Sequence, residues 1–99
     1  MPATILYEDS EVVAFHDIHP KYPVHILIVP KQHVASAAEL RPEHDAIAGK
    51  LLRSGAMLAE KRGIAGSGFR LVMNTGPNAG QVVQHLHAHL LGGSPLRPL

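Results

Sequence analysis

Near the C-terminal end, His85-Leu86-His87-Ala88-His89-Leu90-Leu91 sets an imidazole at every second residue, with apolar side chains between. In a β-strand successive side chains point to opposite faces. This period therefore puts the three rings on one side and Leu86, Ala88 and Leu90 on the other, in a core. A helix would spread the rings over about 200° of arc and leave no apolar stripe. Three chemistries suit such a row. Histidines on a sheet face can be hydrogen-bonded and inert. They can bind a metal, since imidazole is a common ligand and catalytic zinc sites often take three protein ligands. Three alternate residues of a straight strand, however, span about 13 Å at 3.3 Å per residue, too far to share one ion without sharp bending. The third is nucleophilic and acid/base work on phosphorus, with one imidazole attacking while its neighbours bind an oxyanion or shuttle a proton.

The residues just upstream bear on the choice. Asn74-Thr75-Gly76-Pro77-Asn78-Ala79-Gly80-Gln81 is rich in turn formers. By itself it reads as an ordinary connection. Beside the histidine row it reads as a loop that can aim N–H groups and amide side chains at an anion. No carboxylate lies between Asn74 and Leu91, which disfavours a hard-cation site.

The elements that must carry these groups follow in chain order. Ile5–Glu8 and Glu11–His16 are β-prone runs joined by a two-residue turn, Asp9-Ser10, and read as a hairpin. Phe15 reads mainly as core. Asp17 reads as a strand-end residue, and His19–Pro23 as a loop stiffened by two prolines. His25–Pro30 is the clearest buried strand, with His25 on the face of Leu27 and Val29 and with Pro30 ending it. Lys31-Gln32-His33 is a polar exit loop, and His33 is given no role. A short helical turn is expected within 35–40. A long helix is expected over 42–62, started by Pro42 and Glu43 and stopped by Gly63. Its apolar face is read as Ile47, Leu51 and Leu58, widened by Ala48, Leu52, Gly55 and Ala59. A strand from Phe69 to Asn74 precedes the glycine loop. Hairpin, strand, helix, strand, loop and strand make an α+β domain with a mainly antiparallel sheet and one long helix on a face.

These residues, taken in order, resemble the histidine triad superfamily, whose signature is His-φ-His-φ-His-φ-φ with φ apolar. The resemblance is to its Hint branch, the nucleoside phosphoramidases. Besides the triad it rests on Phe15-His16-Asp17-Ile18, Pro23-Val24-His25, Ile28-Val29-Pro30-Lys31-Gln32-His33, Asn74, Gly80-Gln81 and Leu91-Gly92-Gly93. It runs from about residue 3 to 93. It implies a sheet of about five antiparallel strands with one long and one short helix, in a single domain over 1–99. It also implies a homodimer that pairs through the long helix and the strand beginning at Phe69.

The implied activity is cleavage of the phosphorus–nitrogen bond in purine nucleoside 5′-phosphoramidates, AMP-lysine-like substrates, through a nucleotidyl-histidine and without a metal or other cofactor. His87 would be the nucleophile, with its second ring nitrogen donating to the backbone carbonyl of His85. His89 would contact the phosphoryl oxygens, and His25 would support the triad from a neighbouring strand. Asn74, Gly80, Gln81 and position 82 would hold the phosphate. Asp17 would take the ribose hydroxyls, and Phe15 and Ile18 would face the base. Two other activities share these residues: nucleotide binding with little turnover, and hydrolysis of dinucleoside polyphosphates. The chain departs from the branch at Val82, where many members carry a serine that donates to the phosphate or leaving group. It also departs at Met1-Pro2-Ala3, where a covering N-terminal segment would end, and at the short tail Ser94–Leu99.

Composition sets the outer bounds. The chain has 99 residues, 45% of them hydrophobic, which is a globular composition and enough for one domain. A net charge of +1 with no basic stripe does not suggest bulk nucleic-acid binding. With no cysteine there is no disulfide framework and no thiolate zinc ligand, which is compatible with the cytosol. No apolar run approaches the roughly 20 residues of a membrane span.

Overall fold

The computed structural model describes residues 4–99. Met1-Pro2-Ala3, where the sequence reading places a departure from the family pattern, lie outside the described residues. Five strands form one antiparallel sheet in the order β1-β2-β3-β5-β4. They are β1 (Ile5–Glu8), β2 (Val12–His16), β3 (Val24–Pro30), β4 (Phe69–Val72) and β5 (Ala88–Gly92). One helix, α1 (Asp45–Lys61), crosses β3 and β5.

The hairpin turn is longer than the two residues expected, because Asp9 organises it. Its Oδ1 accepts from Glu11 N–H at 2.8 Å and Val12 N–H at 2.9 Å, which draws Glu11 into the turn. Its Oδ2 accepts from Tyr7 Oη–H at 2.6 Å and meets Lys50 Nζ at 2.8 Å, so the hairpin is tied to α1. The Lys50 ammonium, then the Tyr7 hydroxyl and the two backbone N–H groups, hold this carboxyl well below the usual carboxylate range. A shift in register between Ile5 and Tyr7 sets Ile5 opposite Phe15 but Tyr7 opposite Ala14. The two residues thus serve opposite faces of the sheet, although they are two apart.

The core lies on one face only. Val12, Ala14, Ile26, Ile28, Ala88 and Leu90 point at α1, which returns Ile47, Leu51, Leu58 and Ala59. Leu52 belongs to the outer side of the helix, contrary to the sequence reading. The buried row runs through Ser54 and Gly55 instead, which rotates Leu52 into solvent. Gly55 lets the helix approach the sheet: a Cβ there would stand 2.5 Å from Leu71 Cδ2. The expected helix start at Pro42 is a turn of 3₁₀ helix, Pro42–His44, leading into α1, and a second such turn spans Ala37–Glu39. The helix ends as Gly63 suggested. Gly63 sits at φ +74°, its N–H donates to Glu60 C=O, and the N–H of buried Ile64 donates to Ala59 C=O.

Phe15 is a correction. It is half-buried on the face opposite α1, because the core face of β2 is taken by Val12 and Ala14. β4 also stops earlier than expected, at Val72 rather than Asn74. No described helix is long and apolar enough to cross a membrane.

Two glycines of α1 should respond in opposite directions. Gly55→Val is expected to lose about 1–3 kcal/mol of stability through overpacking against Leu71. Gly49→Ala, whose new Cβ meets nothing within 4 Å, is expected to gain about 0.5–1 kcal/mol. Urea unfolding of the two variants beside the parent checks both signs.

Candidate active site

The face of the sheet away from α1 carries the chemistry. Side chains directly opposite one another across antiparallel strands share a face. One such row crosses all five strands as Val72, His89, Leu27, Phe15 and Ile5. A second holds Arg70, Leu91 and His25. The three triad imidazoles stand on this face, half-buried, while Leu86, Ala88 and Leu90 are buried beneath. The strand itself is shorter than the spacing predicted. Ladder pairing starts at Ala88, which faces Ile28. Upstream, Leu86 N–H donates to Val34 C=O, and Pro30 offers only a carbonyl, which the His85 ring takes. His85 and His87 therefore lead into the strand rather than forming part of it.

The hydrogen-bond partners assign every ring's neutral tautomer. His87 Nδ1 lies 2.7 Å from the His85 carbonyl, so Nδ1 carries the proton and Nε2 presents a lone pair. His85 Nε2 donates to Pro30 C=O at 2.8 Å, and its Nδ1 then accepts from His33 Nδ1 at 3.1 Å. On the other side, Lys21 N–H donates to His25 Nδ1 at 3.0 Å, which places the His25 proton on Nε2. That Nε2–H faces His89 Nδ1 at 2.9 Å, and His89 is left with its proton on Nε2. Two adjacent rings, 5.0 Å apart between centroids, thus have opposite characters: His87 offers a lone pair and His89 a donor. Burial holds His25 below the ordinary imidazole value, and Lys21 adds to this while Asp17 opposes it. Burial likewise lowers His89, assisted by the neighbouring His87 and His25.

The loop between β4 and β5 is held in shape by one side chain. Gln81 Oε1 accepts from Gly76 N–H at 2.9 Å, and Nε2 donates to Ala35 C=O at 2.9 Å and Val83 C=O at 3.0 Å. Both amide hydrogens are spent, so Gln81 is not the free donor that the sequence reading made it. Gly76 and Gly80 sit at φ +83° and +85°, bracketing a 3₁₀ turn at Pro77–Ala79, a path that side chains oppose. Val82 is 88% exposed, so only its backbone is suited to hold a phosphate.

Asn74 lines a cavity with His25 and His89. Asp17 continues the β2–β3 pairing: its N–H donates to His25 C=O at 2.9 Å, and Oδ2 stands 3.4 Å from His25 Nε2. Oδ1 accepts from His19 N–H at 2.7 Å. Ile18 is 77% exposed and Ile5 52% exposed, and Ile5 stands opposite half-buried Phe15 at the β1 side. Ile5 was not singled out from sequence, because only the β1 register shift brings it opposite Phe15. His33 was also passed over; its partner lies 52 positions along the chain. Asp17, His25 and His89 bring one ligand atom each within 4.8 Å of one another. A cation there would have to displace the His25–His89 hydrogen bond, which already satisfies both rings.

The model of the HIT domain family matches residues 1–96. The purine nucleoside phosphoramidase of Escherichia coli K12 is 44% identical over 99 residues, all of this chain and 83% of that protein. Adenylylsulfatase HINT1 of Arabidopsis thaliana is 42% identical over 95 residues, 94% of this chain and 64% of that protein. Among solved structures, a HIT family hydrolase from Legionella pneumophila superposes with a TM-score of 0.96 at 38% identity, covering 98% of this chain and 87% of the other. One from Clostridium thermocellum gives 0.95 at 45% identity, over 100% and 86% of the two chains. Fold and nearly the whole length agree, and the chain belongs to the HIT domain family as one of its enzymes.

Proposed function

We propose that the protein hydrolyses purine nucleoside 5′-phosphoramidates by two nucleotidyl transfers, first to His87 and then to water. The observation that carries this reading is the hydrogen bond from His87 Nδ1 to the His85 carbonyl. It commits the ring to one tautomer, leaves Nε2 free to attack phosphorus, and lets the carbonyl stabilise the positive charge that then develops on the ring. The names of the relatives support the substrate class: one is a purine nucleoside phosphoramidase and another an adenylylsulfatase.

The base rests on Ile5, Phe15 and Ile18, with the ribose hydroxyls near Asp17. The phosphoryl group sits between His87 and the loop that Gln81 holds, where Asn74 and the backbone N–H of Val82 donate to its oxygens; the Gly80 N–H, expected from sequence to hold the phosphate, is instead donated to Pro77 C=O at 3.1 Å. In the first step, the His87 Nε2–P bond forms as the bond from phosphorus to the amine breaks; the electron pair goes to the amine nitrogen, which takes up a proton relayed from solvent at the Nε2–H of His89 and leaves as the neutral amine. In the second step a water gives its hydroxide to phosphorus and its other proton back to solvent, and the P–Nε2 bond breaks with its electron pair returning to the His87 ring. The exposed edge of β4, which has no strand partner on its outer side among the described residues, joins two copies into a dimer.

Release of amine from adenosine 5′-phosphoramidate tests the reading. His87→Ala is expected to lower turnover about a thousandfold or more, with the parent unaffected by a chelator. Parent-like turnover in the variant would discard the nucleophile assignment. A second expectation concerns pH. Burial lowers His25 and His89 from 6.5, so below that value the unfolded chain binds more protons than the folded one. Stability is therefore fully present above the ordinary imidazole value and declines as pH falls through it. Thermal midpoints should drop between about pH 7.5 and pH 5, with a smaller drop in His25→Asn.

A further inference from the structure

Pairing of β5 with β3 begins only at Ala88, so the stretch that carries His85 and His87 has no ladder to hold it. Pro30 ends β3 without an N–H, and the chain passes into Lys31-Gln32-His33. What holds the stretch comes from just beyond that exit. Val34 is buried in the core, and Ser36, also buried, caps the next 3₁₀ turn: its Oγ accepts from Ala38 N–H at 3.2 Å. From this anchored segment three consecutive residues reach across. His33 Nδ1–H donates to His85 Nδ1 at 3.1 Å, Val34 C=O accepts from Leu86 N–H at 2.6 Å, and Ala35 C=O accepts from Gln81 Nε2 at 2.9 Å.

Two of these contacts meet at His85. The Leu86 N–H and the His85 C=O belong to one peptide unit, which is planar and, with no cis bond among the described residues, trans. The two groups therefore point in opposite directions. With the N–H held by Val34, the C=O is turned the other way, to His87 Nδ1 at 2.7 Å. The side chain of His85 is held as well, at both ring nitrogens: Nε2–H by Pro30 C=O at 2.8 Å, and Nδ1 by His33. Pro30 alone would fix one ring atom and leave the ring to pivot about it. The second hold removes that freedom. His33 itself is exposed, and among the described residues its ring has no protein partner except His85. Neither the core nor the mechanism above accounts for it.

We propose that His33 is a positioning residue for the nucleophile. By donating to His85 Nδ1 it keeps the His85 proton on Nε2 and the ring in place, so that the His85–Leu86 peptide keeps its carbonyl on His87 Nδ1 through both transfers. That carbonyl matters most while the His87 ring carries positive charge, so the effect falls on kcat rather than on KM. The inference rests on the nucleotidyl-transfer reading. His33 makes no bond to phosphorus and passes no proton.

Turnover of adenosine 5′-phosphoramidate, read together with nitrogen NMR spectra of the imidazoles, tests it in the parent and in His33→Asn, His33→Phe and His33→Ala. The parent is expected to show His85 protonated at Nε2 alone. An asparagine amide N–H can stand where the His33 Nδ1–H does, so His33→Asn should keep that signature and a kcat within about twofold of the parent. Phe and Ala offer no donor. Both variants should populate the second neutral tautomer of His85 and lower kcat about three- to tenfold, with KM little changed. A loss of folded molecules alone would lower turnover but leave the spectrum of the remainder as in the parent. Parent-like kcat in the Phe and Ala variants, a His85 signature that neither changes, or a loss in His33→Asn as large as theirs overturns the positioning role. Without turnover in the parent the nucleotidyl-transfer reading falls on its own, and the spectra then decide whether His33 holds His85.

Discussion

The pairing of β3 with β5 is the interaction on which the rest depends. It joins segments sixty or more positions apart and sets Leu27 against His89 and His25 against Leu91. From that register come the burial of Ile26, Ile28, Ala88 and Leu90 under the helix and the meeting of His25 with His89 on the opposite face. A slip of one residue would exchange the two faces, sending the imidazoles into the core and the aliphatic side chains into solvent. The covering of only one face by α1 is thus both how the sheet gains its stability and why the other face is free for chemistry.

Much of this is written in alternation. The triad's period of two announces which face is which, and the β-branched run of β3 announces a buried strand. Gly63 announces the end of the helix, and its αL turn and paired N–H donations are found as such. What stayed hidden depends on backbone geometry or on distant partners. Nothing local tells that Ile5 changes face relative to Tyr7, because a register shift is settled by both strands of the hairpin. Phe15 looks like core by type, yet its parity with Leu27 puts it on the other side. Gln81 beside a glycine loop reads as an anion donor, and only the carbonyls of Ala35 and Val83 reveal that its hydrogens are committed. His33 could have been noticed through the polar exit that Pro30 forces, since a ring just past the strand end is well placed to meet His85.

The histidines differ in character although their residue type is the same. His87, His85 and His25 take their tautomers from neighbours that cannot titrate in this range, the carbonyls of His85 and Pro30 and the N–H of Lys21, and His25 in turn sets that of His89. Backbone groups therefore decide where the protons sit, and burial keeps His25 and His89 neutral so that the assignment persists near neutral pH. A lone pair on His87 beside a donor on His89 is an arrangement that free imidazoles in water would adopt only part of the time. Holding it in advance reduces the reorganisation that reaction would otherwise require.

The cross-strand rows also order the site in space. From β1 to β4 one row passes from Ile5 and Phe15, through Leu27, to His89 and Val72. Its imidazole thus stands near the β4 edge and its larger apolar side chains toward the β1 edge, and the ladder that packs the core against α1 also fixes how far His89 stands from Phe15. A change in the register of β2 against β3 would move the apolar end without moving the His25–His89 pair, which β3 and β5 set alone.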